Sequence, residues 1–452
     1  MELFTEILSK IKGDYVDVFF EEKITNQIQM EENKLQKCST NFDKGLGVRV
    51  IIDGKIFYAY TNDLTKTGVN NVISSLKNYK SSGNFVNLKK LSPTINFFIK
   101  IPPKNIDITE KVNFVKRANK ISWSQGEKVR QVKVLYTDSF QNIKTANSEG
   151  FFTEEERIQT LFLVHTVASE NGIVQTGYEA VGGLKGHELF EETTPEEVAL
   201  KATKRALMML NARRIKGGRM PVVISSEAGG TMIHEAVGHG LEADLVQEGL
   251  SVYSGKLGER IASEFITVID DPTLPNMRGS YIFDDEGTPS HRTVLVDRGI
   301  LINYLSDKYT AMKEGKTSTG NGRRQSYEYY PIPRMSNTFI APGKHTPKDI
   351  IRSVDKGLFV KKMGGGQVNT VTGEFVFEVQ EGYIIEKGTI GEAVRGALLI
   401  GTGQDILKSI DMVGKDLGFS IGTCGKNSQG VPVTDGMPTL RIPEIVVGGE
   451  AE

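Results

Sequence analysis

Two histidines five positions apart, with a carboxylate directly after the first, cannot act together on a regular helix. The segment Thr231-Met232-Ile233-His234-Glu235-Ala236-Val237-Gly238-His239-Gly240 has this spacing. On an α-helix four positions return a side chain to about 40° from its starting direction, but five leave it at roughly 140°, too far round to share one ion. If the pair works as a pair, the helix must be distorted. A single-turn π-bulge restores the phase, and Gly238, just before the second histidine, is where the backbone yields most easily. The residue types favour this reading. Neutral imidazole nitrogens suit zinc, and a glutamate beside the first ligand can take a proton from metal-activated water. The chain has only six histidines, so this pair is read as two metal ligands, His234 and His239, flanking a general base, Glu235.

Composition excludes several alternatives. The 55 basic residues balance 56 acidic ones for a net charge of -1, and no tract is basic enough to neutralise several phosphates, so nucleic acid is not an expected partner. The cluster Arg213-Arg214-Ile215-Lys216 is read as the cationic end of a helix. The two cysteines, Cys38 and Cys424, stand far apart in the chain; they rule out a disulfide framework and fit a reducing compartment. The first eight residues are acidic and amphipathic, without the apolar stretch of a signal peptide, and no apolar run reaches the roughly 18 residues of a membrane span. The expected location is the cytoplasm, with no membrane contact.

At 452 residues the chain calls for two or three domains. The first, 1–105, is expected to mix an opening helix, a strand over 15–20 and a hairpin whose apolar alternation on either side of Asp53-Gly54 marks a type I′ turn. A helix is expected over 63–80, and the prolines between 93 and 103 punctuate the chain. The second domain, 106–218, opens with a helix to about 121. Alternating strands over 129–137, 143–146, 158–167 and 172–180 follow, and a helix capped by Thr194, Pro195 and Glu197 closes it. The third, 219–452, begins with a buried strand over 220–225 that leads into the histidine segment, a rigid mount for a catalytic helix. Further strands outnumber the helices expected over 346–356 and 404–412. The fold class is therefore α+β, multi-domain, with largely antiparallel sheets and flanking helices.

A catalytic zinc usually takes three protein ligands. From residue chemistry two candidates for the third remain open. Glu242 lies three positions after His239, and Cys424 sits in Gly422-Thr423-Cys424-Gly425-Lys426, where flanking glycines let the backbone approach an ion and the lysine favours a thiolate. Among the other marked residues, Gly364 and Gly365 in a glycine run could line a substrate backbone. Arg323 and Arg334, in and after a loop over 318–324 expected to be mobile, could hold a substrate carboxylate or an oxyanion. Asp284-Asp285-Glu286 reads as a solvated loop, and His291 and His345 as ordinary polar residues.

The nine residues from His234 to Glu242, the Cys424 segment, and Pro438-Thr439-Leu440-Arg441 ahead of Val447-Gly448-Gly449 together resemble the TldD branch of the TldD/PmbA (TldD/TldE) metallopeptidase family, over nearly the whole chain. The resemblance implies a zinc-dependent peptidase with one Zn2+ held by His234, His239 and Cys424 and with Glu235 as general base. It further implies unfolded polypeptides or leader peptides as substrates and a TldE-like companion subunit, with a homodimer as the other possibility. Two rival functions stand beside this one: a non-catalytic binding protein of the gyrase-modulator type, and a metallohydrolase of small amides.

Overall fold

The computed structural model describes residues 1–76 and 86–449, and its fold is α+β with antiparallel-rich sheets. Of the helix expected over 63–80, Lys66–Leu76 is present; its end past residue 76 lies outside the described residues.

The N-terminal sheet has seven strands, built around a long hairpin of Tyr15–Glu31 and Lys34–Ile52. The hairpin turn places Glu32 and Asn33 at φ 50° and 63°, and the next turn places Asp53 and Gly54 at 48° and 69°. Paired positive φ is the type I′ geometry that matches strand twist. Only the second turn is visible in the sequence. The outer half of Lys34–Ile52 is almost wholly exposed, so it carries no apolar alternation, and the strand expected over 15–20 runs on to Glu31. Tyr15–Glu31 also pairs with Val129–Asn147, so one sheet takes strands from both sides of residue 105. Helices Ile108–Trp123 and Pro195–Leu210 cover it, packing Val115, Ala118, Val198 and Ala202 against Val132, Val134, Phe162 and Val164. The second helix starts with the expected capping box: Glu197 N–H donates to Thr194 Oγ1, and Thr194 N–H donates to the Glu197 carboxylate.

In the C-terminal half, strand Gly218–Ile224 lies between Lys356–Val368 and Leu440–Gly448. With Glu374–Glu386 and Leu398–Thr402 these strands pair into a closed ring. Val222, Val223 and Ile224 are fully buried, each worth about 1.5–3 kcal/mol of burial. The strand that delivers the histidine segment is thus held on both edges and both faces. A second sheet ends in the order Asn337–Ile340, Gln429–Met437, Gly418–Lys426, so the strand bearing Cys424 is an edge.

The acidic run Asp284-Asp285-Glu286 is buried rather than solvated. Arg49 binds both Asp17, at 2.7 Å, and Glu286, while Arg157 binds Asp285 at 2.8 Å. The Asp284 carboxylate accepts the N–H groups of Glu286, Thr288 and Gly322 at 3.0, 2.8 and 3.0 Å. These arginines belong to the N-terminal sheet, with Arg49 separated from Glu286 by 237 positions, and compensation over such a span leaves no local trace in a sequence. The 318–324 segment is drawn into the same junction, with Asn321, Arg323 and Arg324 buried.

Candidate metal centre

From His234 to Gly238 the chain forms a single π-turn, with a short α-helical turn at Thr231–Ile233 before it and a 3-10 turn at His239–Leu241 after it. The N–H of His239 donates to the carbonyl of His234, an i→i+5 bond that puts residues five apart on one face. The two imidazoles meet with ring centroids 5.1 Å apart and planes at 90°. The distortion expected from the spacing is present, but Gly238 plays a different part from the one its flexibility suggests. Its φ and ψ of -55° and -54° are ordinary helical values. A Cβ there would lie 2.0 Å from the sulfur of the buried Met335, so the glycine makes room. Ala236 O accepts from Tyr253 Oη at 3.3 Å and Gly240 O from Ser251 Oγ at 2.5 Å, giving partners to carbonyls in the irregular stretch.

The strand Gly418–Lys426 brings Cys424 to the same point. Ligand atoms of His234, His239 and Cys424 all lie within 4.8 Å of one another, with Cys424 Sγ 3.4 Å from His239 Nε2. All three side chains are buried. Glu242 is instead placed behind His239, its carboxylate 3.0 Å from Nδ1. Lys426 Nζ donates to Glu242 at 3.0 Å and to Asp244 at 2.7 Å. A carboxylate on the far nitrogen fixes the ring and its tautomer, the usual support for a ligating histidine. The His239–Glu242 spacing of three was a signal in the sequence for this role as much as for ligation. Glu242→Gln is expected to keep the fold, because the amide oxygen still accepts, and to weaken zinc binding by about 10–100-fold, measured by competition with a chromogenic chelator.

The electrostatics suit a cation. Burial alone would push the Cys424 thiol up, but hydrogen bonds and charge from His234 and His239 outweigh it and bring the group down to about 5. Burial opposes a charged His239, and the Glu242 carboxylate and Cys424 overcome this, holding the imidazole well above its ordinary range. Glu242 itself, despite burial, is drawn down to about 2 by Lys426 and His239. The Nδ1 of His234 is buried with no hydrogen-bond partner among the described residues. One thiolate and two imidazoles, buried and convergent, fit zinc.

The face of this cluster opens on a cleft of about 1060 Å3, lined by His234 and the half-buried Glu235. Two unpaired strand edges border it, Ile173–Gly183 from the N-terminal sheet and Gly418–Lys426 from the C-terminal half. Gly364 and Gly365 also line it, in an irregular part of their strand where the pairing jumps from Met363 to Gly366. Arg323 and Arg334 are turned elsewhere. Arg323 donates to the carbonyls of Met335 and Pro432 at 2.5 and 2.7 Å. Arg334, fully buried, donates to those of Gln429, at 3.2 Å, and Cys424. Both guanidiniums are occupied with backbone oxygens and line no part of the cleft; Arg334 instead steadies the strand that presents the thiolate. Sequence reasoning missed Lys426 as the link to Glu242, and it missed Asp435, a buried carboxylate on the cleft wall.

A convergent His2Cys donor set beside a cleft carboxylate is a donor arrangement of the kind metallohydrolases use. Family models described as the PmbA/TldA metallopeptidase domain 1, central domain and C-terminal domain match residues 16–78, 101–210 and 217–449. The chain belongs to this PmbA/TldD metallopeptidase family. Its relatives include a metalloprotease TldD homolog of Haemophilus influenzae, 33% identical over 98% of this chain and 95% of that one. A metalloprotease of Methanocaldococcus jannaschii is 37% identical over 95% and 96% of the two chains. A zinc metalloprotease TldD homolog of Saccharolobus solfataricus is 27% identical over 97% and 98%. The crystal structure of TldE from Thermococcus kodakarensis shares the fold with a TM-score of 0.78 at 20% identity, covering 99% of this chain and 98% of that one.

Proposed function

We propose that this chain is a zinc-dependent peptidase that hydrolyses unfolded polypeptides or leader segments of modified peptides. The observation that carries this reading is the position of Glu235, in the cleft and directly beside one member of the His234, His239, Cys424 cluster. When bound, zinc supplies a Lewis acid that acidifies water and polarises a carbonyl. Glu235 accepts the proton of the attacking water and returns it to the departing amine. The two strand edges and the unpaired Gly364-Gly365 backbone offer N–H and C=O groups to an extended chain, so main-chain hydrogen bonds provide affinity with little side-chain choice. A folded protein keeps most of its strands paired internally, so an unfolded chain offers far more segments able to bind this way.

Among the described residues no helix is long and apolar enough to cross a membrane; the location we propose is the cytoplasm. The companion we propose is a TldE-like chain, with a homodimer as the alternative. A purely binding protein would have no use for a cleft carboxylate next in the chain to one of three convergent metal donors. The test is hydrolysis by the zinc-loaded protein of one substrate in its unfolded and folded forms, alongside small amide chromogens. The unfolded chain is expected to be cut and the others spared, with activity lost to a chelator and restored by zinc. Cleavage of the small amides alone would transfer the chain to the metallohydrolases of metabolites.

A further inference from the structure

Most cations lining the cleft already have a carboxylate. Lys185 pairs with Glu192, Arg205 with Glu179 and Glu381, and Lys361 with Glu381. Lys362 stands 3.7 Å from Glu179. The reverse does not hold for the anions. Besides Glu235, Asp435 lines the cleft with no ion pair to any described residue. It is only 6% exposed. Its Oδ1 accepts the N–H of Gly230 at 3.1 Å and the hydroxyl of Ser420, while Oδ2 accepts from no described group. Oδ2 is thus open to the cleft, where it can take a cation or donor without giving up the two hydrogen bonds of Oδ1.

Its position relative to the reacting groups follows from the backbone. Gly230, held by Asp435, lies one turn before His234, whose N–H donates to Gly230 O at 2.9 Å. One helical turn is about 5.4 Å, and an extended peptide advances about 3.3–3.6 Å per residue. A group held at Asp435 therefore lies one or two residues from a peptide bond set against Glu235.

We propose that Asp435 forms an ammonium subsite of the cleft, taking a primary amine of the peptide substrate one or two residues from the bond to be cut. The amine is either the α-ammonium of the chain or the ammonium of a lysine side chain; both present the same N–H donors and charge. Oδ2 receives it, and Oδ1 stays with Gly230 and Ser420, so the carboxylate is fixed in direction before the substrate arrives. This inference rests on the peptidase reading and adds a preference to it.

Four matched peptides test it, with free or acetylated N-termini and with lysine or norleucine two residues from it. Binding is measured by calorimetry on zinc-loaded Glu235→Gln protein, and hydrolysis on the wild type. A peptide with the matching amine is expected to bind about tenfold more tightly than its neutral counterpart, as a charge-assisted hydrogen bond allows. Loss of the preference on acetylation assigns the α-ammonium; loss with norleucine assigns the side chain. Asp435→Asn in the same background, whose amide oxygen can still accept from Gly230 and Ser420, is expected to erase the preference, whereas Ser420→Ala, which keeps the charge, retains it. Equal binding of all four peptides overturns the subsite, as does a preference that survives Asp435→Asn. A fall in zinc content in that variant with the preference intact would also overturn it, placing Asp435 behind His234 instead. A binding preference without any hydrolysis by the wild type would uphold the subsite and overturn the peptidase reading.

Discussion

Replacing Glu235 by glutamine is expected to remove peptide hydrolysis, by about 10²–10⁴-fold, with zinc content and peptide binding unchanged. The substitution conserves shape and removes only the ability to take a proton. Glu235 is half-buried on the cleft wall and accepts no hydrogen bond from a described residue, so no structural role is lost with its charge. It is not a member of the donor cluster, which consists of His234, His239 and Cys424. Its place in the turn explains the separation of roles. Within the π-turn His234 and His239 share a face, and Glu235, one residue round from the first, projects beside that face toward the cleft. Single-turnover assays with an unfolded protein, run beside metal analysis, check the outcome. A variant that retained wild-type turnover would remove Glu235 from the chemistry and leave the cluster without its base.

The parts of this site that could be read in the sequence are those with a local cause. Five-residue spacing of two histidines demands a π-turn, and one is present at His234–Gly238. The Thr194-Pro195-Glu197 pattern sets a helix start by hydrogen bonds within one turn, and Asp53-Gly54 sets a hairpin by the φ values it tolerates. What escaped has its cause elsewhere in the chain. The exposed outer half of Lys34–Ile52 is specified by pairing with Tyr15–Glu31, itself held by Val129–Asn147, rather than by its own apolar pattern. Asp284, Asp285 and Glu286 look solvated until Arg49 and Arg157 arrive from the other sheet. Arg323 and Arg334 resemble free cations until the carbonyls of Met335, Pro432 and Gln429 are seen around them. Gly238 shows the same limit in miniature: its need for space is dictated by Met335, almost a hundred positions downstream.

Cys424→Ala is expected to abolish stable zinc binding, taking the content of the purified chain from about one ion to near zero. Two imidazoles on one turn remain in that variant, and two neutral ligands hold a divalent ion far less firmly than two imidazoles and a thiolate. The thiolate matters more here than in an exposed site. Cys424 is 3% exposed, and its hydrogen bonds and charge pairing with His234 and His239 favour the ionised form that a metal requires. The loss will also appear as stability. Zinc binding to the folded state alone adds about 2.7 kcal/mol at a free concentration a hundred times the dissociation constant, so zinc should raise the wild-type melting temperature and leave that of Cys424→Ala unmoved. Cys38→Ala is the matched control, because Cys38 is exposed on the first hairpin and is not a member of the cluster. If Cys424→Ala retained one zinc per chain while a His234→Ala or His239→Ala variant lost it, the third donor would have to be sought elsewhere around the cleft, and Glu242, already turned toward His239 Nδ1 and Lys426, would have to leave both to supply it.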